Sequence, residues 1–169
     1  GLLLINSEIL PDSLIEGGTG SESQNLSQPD FTPDRFESGT LNVSGICGLK
    51  KGIEVVLSKT PSMISHTEMA HIRLLYKRLN TMKNIELYTQ MPSLEYYAPV
   101  LSFNVKNKSS EEVAAFLNKH SVAVRAGLHC APLAHKSKKT LDVGTVRVSP
   151  SIFTRESEIE YLLNVIKKL

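Results

Sequence analysis

The sequence predicts an α+β fold: a small, mostly antiparallel sheet covered by helices. Three observations carry this. Residues 99 to 105 alternate, with Val100, Ser102 and Asn104 against Leu101, Phe103 and Val105, the pattern of a half-buried strand. Residues 65 to 82 place Met69, Ile72, Leu75, Leu79 and Met82 at steps of three and four, one stripe of an amphipathic helix. Ser109 followed by Glu112, ahead of Val113, Phe116 and Leu117, is a capping box that opens another helix.

Residues 2 to 5 (Leu2, Leu3, Leu4, Ile5) read as a buried strand. Residues 15 to 42 then shift to Gly, Ser, Thr, Asn, Gln and Pro with almost no apolar periodicity. So long a loop is functional or disordered, and without neighbours to bury it this one is expected to be disordered or rearranged. Thr40 and Asn42 suit the cap of a helix over about 43 to 58, where Ile46, Leu49, Ile53, Val56 and Leu57 share a face and Cys47 is expected in the core. Pro61 separates this helix from the one at 65 to 82. His66 and His71 on that helix do not share a face as a metal pair would, and read as surface residues. Strands are expected at 85 to 89, 99 to 105, 121 to 125 and 145 to 149. Thr154 opens a final helix with Ile159, Leu162, Ile166 and Leu169 inward, and with Lys167 and Lys168 where the helix dipole favours cations.

A chain of 169 residues is long enough to bury a core. An apolar content of 41% and a charged content of 21% are ordinary for a soluble domain, and a net charge of +2 is too small to argue for nucleic acid. The dense basic run His135-Lys136-Ser137-Lys138-Lys139 reads as a solvated loop. Cys47 and Cys130 do not make a disulfide framework, no secretory signal is visible, and the opening apolar run is too short to span a membrane. A reducing cytoplasm is the expected compartment, with neither membrane nor nucleic acid as a partner. Starting on an apolar run without a methionine, the chain reads as a piece of something larger.

Four short motifs carry chemistry. Arg125-Ala-Gly-Leu-His-Cys-Ala-Pro132 puts Cys130 on a loop with Arg125 and His129 close by and no acidic residue before Asp142, a setting that suits a thiolate. Gly17-Gly-Thr-Gly-Ser21 exposes backbone N–H groups that suit a phosphate or other anion, or simply make a flexible turn. Arg35-Phe-Glu-Ser-Gly-Thr40 and Asn42 lead into a helix start, which also favours anions. Gly144-Thr-Val-Arg147-Val-Ser-Pro150 places an arginine in mid-strand, unusual unless it pairs with a carboxylate or lies on an exposed face.

In their order and rough spacing these motifs resemble class V aminotransferases and, more narrowly, the cysteine desulfurase and selenocysteine lyase branch, which uses pyridoxal 5'-phosphate. The resemblance implies the C-terminal part of a fold-type I pyridoxal-phosphate-dependent transferase: residues 1–42 as a remnant of the large α/β domain, 43–60 as a connecting helix and 61–169 as the small C-terminal domain. Cys130 then matches the nucleophile that takes sulfur from L-cysteine as a persulfide and leaves L-alanine. Arg147 matches the arginine that grips the substrate carboxylate, and Arg125 and His129 shape the cysteine loop. Thr40 matches the threonine that reaches the cofactor phosphate of a neighbouring subunit, with Gly18 and Thr19 near the same interface, which implies a homodimer with shared active sites. A persulfide acceptor protein is a further implied partner. Some relatives have two histidines before the cysteine, where this chain has Leu128 and His129. The Schiff-base lysine of the family follows a Ser-x-His-Lys pattern that no lysine here has, so the isolated chain is expected to be inactive. The other readings are a class V aminotransferase or selenocysteine lyase with another substrate, and a non-catalytic module.

Overall fold

The computed structural model describes residues 1–6, 9–22 and 24–169, which form two compact units, Gly1–Ser58 and Lys59–Leu169. In the second unit, α2 (Pro61–Leu79) begins earlier than expected because Pro61 takes the first helical position, and Thr60 Oγ1 accepts from Met63 N–H at 3.2 Å. Proline needs no hydrogen-bond partner there, so it starts this helix and does not merely separate it from the one before.

Strands β1 (Ile85–Leu87), β2 (Leu101–Val105) and β3 (Val146–Val148) form an antiparallel sheet in the order β1-β2-β3. Helix α3 (Ser110–Lys119) packs on β2 and β3, and α2 packs on β1 and on α5 (Glu156–Ile166). This is the expected α+β architecture. The capping box forms: Ser109 N–H donates to Glu112 Oε2 at 2.7 Å, and Glu112 N–H donates to Ser109 Oγ at 3.2 Å. Ile72, Leu75, Leu79, Phe103, Val113, Leu117, Leu163 and Ile166 are sealed from solvent in one core.

Four expectations are corrected in this unit. The strand at 121 to 125 shrinks to one bridge at Arg125, because Val122 N–H still donates to Leu117 C=O in closing α3. The basic run is not a loop but part of α4 (Pro132–Lys138), with His135 buried. His71 is half-buried, with Nε2 lacking a partner, and is not a surface residue. The last helix is flanked by Arg155, whose N–H donates to Glu158 Oε2 at 2.8 Å, while Thr154 Oγ1 accepts from Ser151 N–H.

In the first unit, α1 (Val43–Lys59) forms where its periodicity places it, and Asn42 Oδ1 caps it by accepting from Gly45 N–H at 2.9 Å. None of its residues is buried, and Cys47 is exposed rather than in a core. Residues 2 to 5 form no ladder among the described residues, and Leu2, Leu3 and Leu4 are exposed. A strand's backbone groups need a neighbouring strand, and the described residues of this unit provide none. The polar segment after residue 15 carries a short 3-10 helix, Asp34–Phe36, whose Arg35 pairs with Asp30 at 3.1 Å and Asp12 at 3.7 Å. Ser23 of that segment lies outside the described residues. No helix among the described residues is long and apolar enough to cross a membrane.

Candidate functional site

Arg147 lies in β3 between Val146 and Val148, both buried, so its side chain leaves by the other face. One edge of Arg147 pairs with Ser102 of β2. The other pairs with Arg125, where Arg147 N–H donates to Arg125 C=O at 2.7 Å and Arg125 N–H donates to Arg147 C=O at 3.2 Å. Directly opposed residues of an antiparallel pair project to the same face, and like charges placed so are destabilising. Neither guanidinium is ion-paired among the described residues, and Arg147 Nε is buried with no acceptor. The carboxylate anticipated beside Arg147 is therefore not one of the described side chains. Stability supplies no reason to oppose two arginines here, whereas binding a ligand carboxylate does.

The cysteine loop is fastened to this ladder by two glycines. A Cβ on Gly144 (φ 60°) would lie 2.6 Å from Ser110 Oγ and 2.8 Å from Gly127 Cα, so the two backbones meet in a space only glycine fits. Thr145 N–H donates to Gly127 C=O at 3.1 Å. His129 Nε2 lies 3.0 Å from Thr145 C=O and 3.1 Å from Thr145 Oγ1. A carbonyl only accepts, so Nε2 carries the proton. Burial holds the His129 pKa below its usual value, and the positive charges of Arg147, His135 and Arg125 push the same way against the hydrogen bond to Thr145. The ring is thus kept neutral, and the positive charge of the site comes from the two arginines.

His129 and Cys130 both adopt the left-handed backbone region, with φ of 51° and 59°. Such conformations persist at non-glycine residues when their surroundings over-determine them. They leave the Cys130 thiol free and exposed just before α4. Chain order hides one neighbour: Glu111 of α3 brings Oε1 to 3.7 Å from where a Gly127 Cβ would be, so a carboxylate does stand by the loop.

In the first unit, Gly18 is joined to Gly39, the residue before Thr40. Gly39 N–H donates to Gly18 C=O at 2.8 Å, and a Cβ on Gly17 would meet Ser38 Cβ at 3.4 Å. Thr19 Oγ1 lies 2.8 Å from Ser21 Oγ, while Gly18 and Thr40 are exposed and Thr19 is partly so. Hydroxyls and unobstructed glycine backbone make a donor set that fits a phosphate group. The predicted residues thus fall into two groups: Arg125, His129, Cys130 and Arg147 in the second unit, and Gly18, Thr19 and Thr40 in the first.

Ser102, Thr145, His135 and Thr140 were missed from sequence. Ser102 is the strand partner of Arg147 and Thr145 bonds the His129 ring, pairings between distant segments that no local pattern encodes. His135 was folded into a charge run. Its one available signal was its position on the polar stretch directly after the cysteine loop. No group of His, Cys, Asp and Glu among the described residues is arranged to hold a metal ion.

The family described as Aminotransferase class-V matches residues 1–162. A probable cysteine desulfurase of Pyrococcus abyssi is 33% identical over 177 aligned positions, which take in 100% of this chain and 42% of that protein. A cysteine desulfurase of Wigglesworthia glossinidia brevipalpis is 34% identical over 138 positions, covering 81% of this chain and 31% of that one. Among solved structures, the apo cysteine desulfurase of Thermococcus onnurineus NA1 superposes with a TM-score of 0.72 at 34% identity, over 80% of this chain and 33% of its own. The chain therefore spans well under half the length of the relatives it matches.

Proposed function

The chain belongs to the class V aminotransferases, and from this premise we propose that it is the sulfur-accepting part of a pyridoxal 5'-phosphate-dependent cysteine desulfurase. The observation that carries the reading is the exposed Cys130 thiol on a loop tied to two directly opposed, unpaired arginines. L-cysteine has both features this arrangement addresses, a carboxylate for the arginines and a sulfur for the thiol.

Arg147, with Arg125 beside it, holds the substrate carboxylate by charge-assisted hydrogen bonds, and Arg147 Nε–H gains the acceptor it lacks among the described residues. Thr40, with Gly18 and Thr19 near it, would hold the cofactor phosphate of a neighbouring subunit, the arrangement of a homodimer with shared sites. When bound, the cofactor supplies an electron sink for the substrate. Cys130 as thiolate attacks the substrate sulfur. The new S–S bond forms as the substrate carbon–sulfur bond breaks, and its electron pair stays on carbon, which takes a proton to become the alanine methyl group. Cys130 is left as a persulfide for an acceptor protein. This chemistry belongs in a reducing compartment, and we assign the protein to the cytoplasm.

In the whole enzyme, Cys130→Ala is expected to abolish alanine formation from L-cysteine, while the isolated 169-residue chain, having no lysine in the family's context, forms none. An unchanged rate in Cys130→Ala would sink the assignment. A keto acid in place of alanine and sulfide would point to transamination.

A further inference from the structure

The short helix α4 buries the wrong residue by hydrophobic reckoning. Leu133 is 82% exposed, whereas His135 is 6% exposed. Burying a leucine is favourable, and burying a polar ring is costly unless its nitrogens are bonded. Polar contacts turn this face inward. His135 Nδ1 lies 2.8 Å from Thr140 Oγ1, Thr140 is itself 2% exposed, and its N–H donates to His135 C=O at 2.9 Å. Next to this pair the ring meets His129, with centroids 5.9 Å apart and planes at 41°. A continuous set of contacts thus runs from Thr140 through His135 to the residue before Cys130.

Resting on the reading of Cys130 as sulfur acceptor, we propose that His135 is a positioning residue for that thiol: anchored by Thr140, it backs the His129 ring and keeps it in the tautomer that donates from Nε2 to Thr145. The opposite tautomer would set an Nε2 lone pair against the Thr145 carbonyl, leaving only the Thr145 hydroxyl to bond it, and would put a proton on Nδ1, which is buried without a partner. His129 and Cys130 are consecutive residues of positive φ, so the anchored His129 ring and the thiol share one constrained stretch of backbone. The charged and titratable groups facing His129 are Arg125 at the bridge, Arg147 of β3 and His135 of α4, with Glu111 of α3 at Gly127.

Alkylation of Cys130 by iodoacetamide, followed by mass spectrometry across pH in the whole enzyme, reads this without turnover. His135→Phe keeps a ring but no nitrogen, Thr140→Val removes the anchor at similar shape, and His135→Asn keeps a polar atom where Nδ1 stands. The first two are expected to change the alkylation rate about fivefold, as the loss of one buried hydrogen bond implies, and to move the midpoint of the pH profile. His135→Asn is expected to restore the profile. Unchanged profiles in His135→Phe and Thr140→Val overturn the proposal. So does an equal loss in His135→Asn and His135→Phe, which would mark a packing role alone. If His135→Phe does not fold, Thr140→Val and His135→Asn decide on the same terms. Alanine formation in Cys130→Ala is a separate measurement: activity there removes the sulfur-acceptor role but leaves the alkylation result intact.

Discussion

Helices α1 and α2 carry the same signal in sequence and meet opposite fates. Both have an apolar stripe at steps of three and four. In α2 that stripe buries Met69, Ile72, Leu75 and Leu79 against the sheet and α5. In α1 the equivalent face leaves Ile46 49%, Ile53 43% and Val56 42% exposed. Amphipathicity states that a face needs covering, and only the rest of the fold decides whether a cover is present. The same contrast separates the two groups of site residues. Those of the second unit are held by a packed core and a ladder, and those of the first by turns, caps and exposed hydroxyls.

The largest effect should come from the matched pair Leu75→Ala and Ile53→Ala in the 169-residue chain. Leu75 is fully buried, so its truncation is expected to cost about 2–5 kcal/mol of unfolding free energy, measured by circular dichroism in denaturant. Ile53, part-exposed, should cost less than about 1 kcal/mol. Similar costs for the two would break the comparison. A larger cost for Ile53→Ala in the whole enzyme than in this chain would sharpen it, by showing that α1 is covered there.

Glycine substitutions come next. Gly144→Ala forces a Cβ onto the Gly127 backbone at 2.8 Å and at positive φ, and is expected to destabilise by about 2–3 kcal/mol. Gly39→Ala has the same handicap of φ (80°) but open space, so only the backbone penalty of about 1 kcal/mol applies. Equal losses in denaturant titrations would show that the close approach of the two loops is looser than the distances imply.

The smallest expected effect is on pH dependence, and it belongs to the second unit. His129 has a folded pKa below its usual 6.5, chiefly through burial, so the unfolded chain takes the proton more readily. Its contribution to stability is whole above 6.5 and drains as pH falls from there through the lower folded value. Glu112 and Glu158, lowered by backbone hydrogen bonds from Ser109 and Arg155, add a second decline that begins only below 4.5. Urea midpoints between about pH 8 and pH 4 should show the upper step, and His129→Gln should remove it. A natural protein with no upper step would contradict the buried neutral ring.

The site was legible in sequence to the extent that its chemistry is local. Cys130 and Arg147 stood out because a cysteine between glycine and proline, or an arginine within a valine strand, breaks the pattern around it. Arg125 opposite Arg147 was not legible, since their register comes from residues more distant in the chain. Glu111 was hidden from the loop for the same reason, as α3 closes in space what is open in sequence. His135 was misread because charge density suggested solvent, while its ring is turned inward by Thr140.

By itself the sequence determined the periods, one cap and the residues of the chemistry: α2, α3, β2, β3 and α5, the Ser109 box, and a thiol and guanidinium in motifs of one family. Those depend on interactions within a few residues, where spacing is equivalent to geometry. The tertiary structure alone decided that residues 2 to 5 form no ladder among the described residues, that the apolar face of α1 stays part-exposed, that two arginines face each other, and that a histidine and not a leucine is buried in α4. Each of these turns on which distant groups arrive to satisfy a face, a charge or a hydrogen bond, and periodicity carries no record of that arrival.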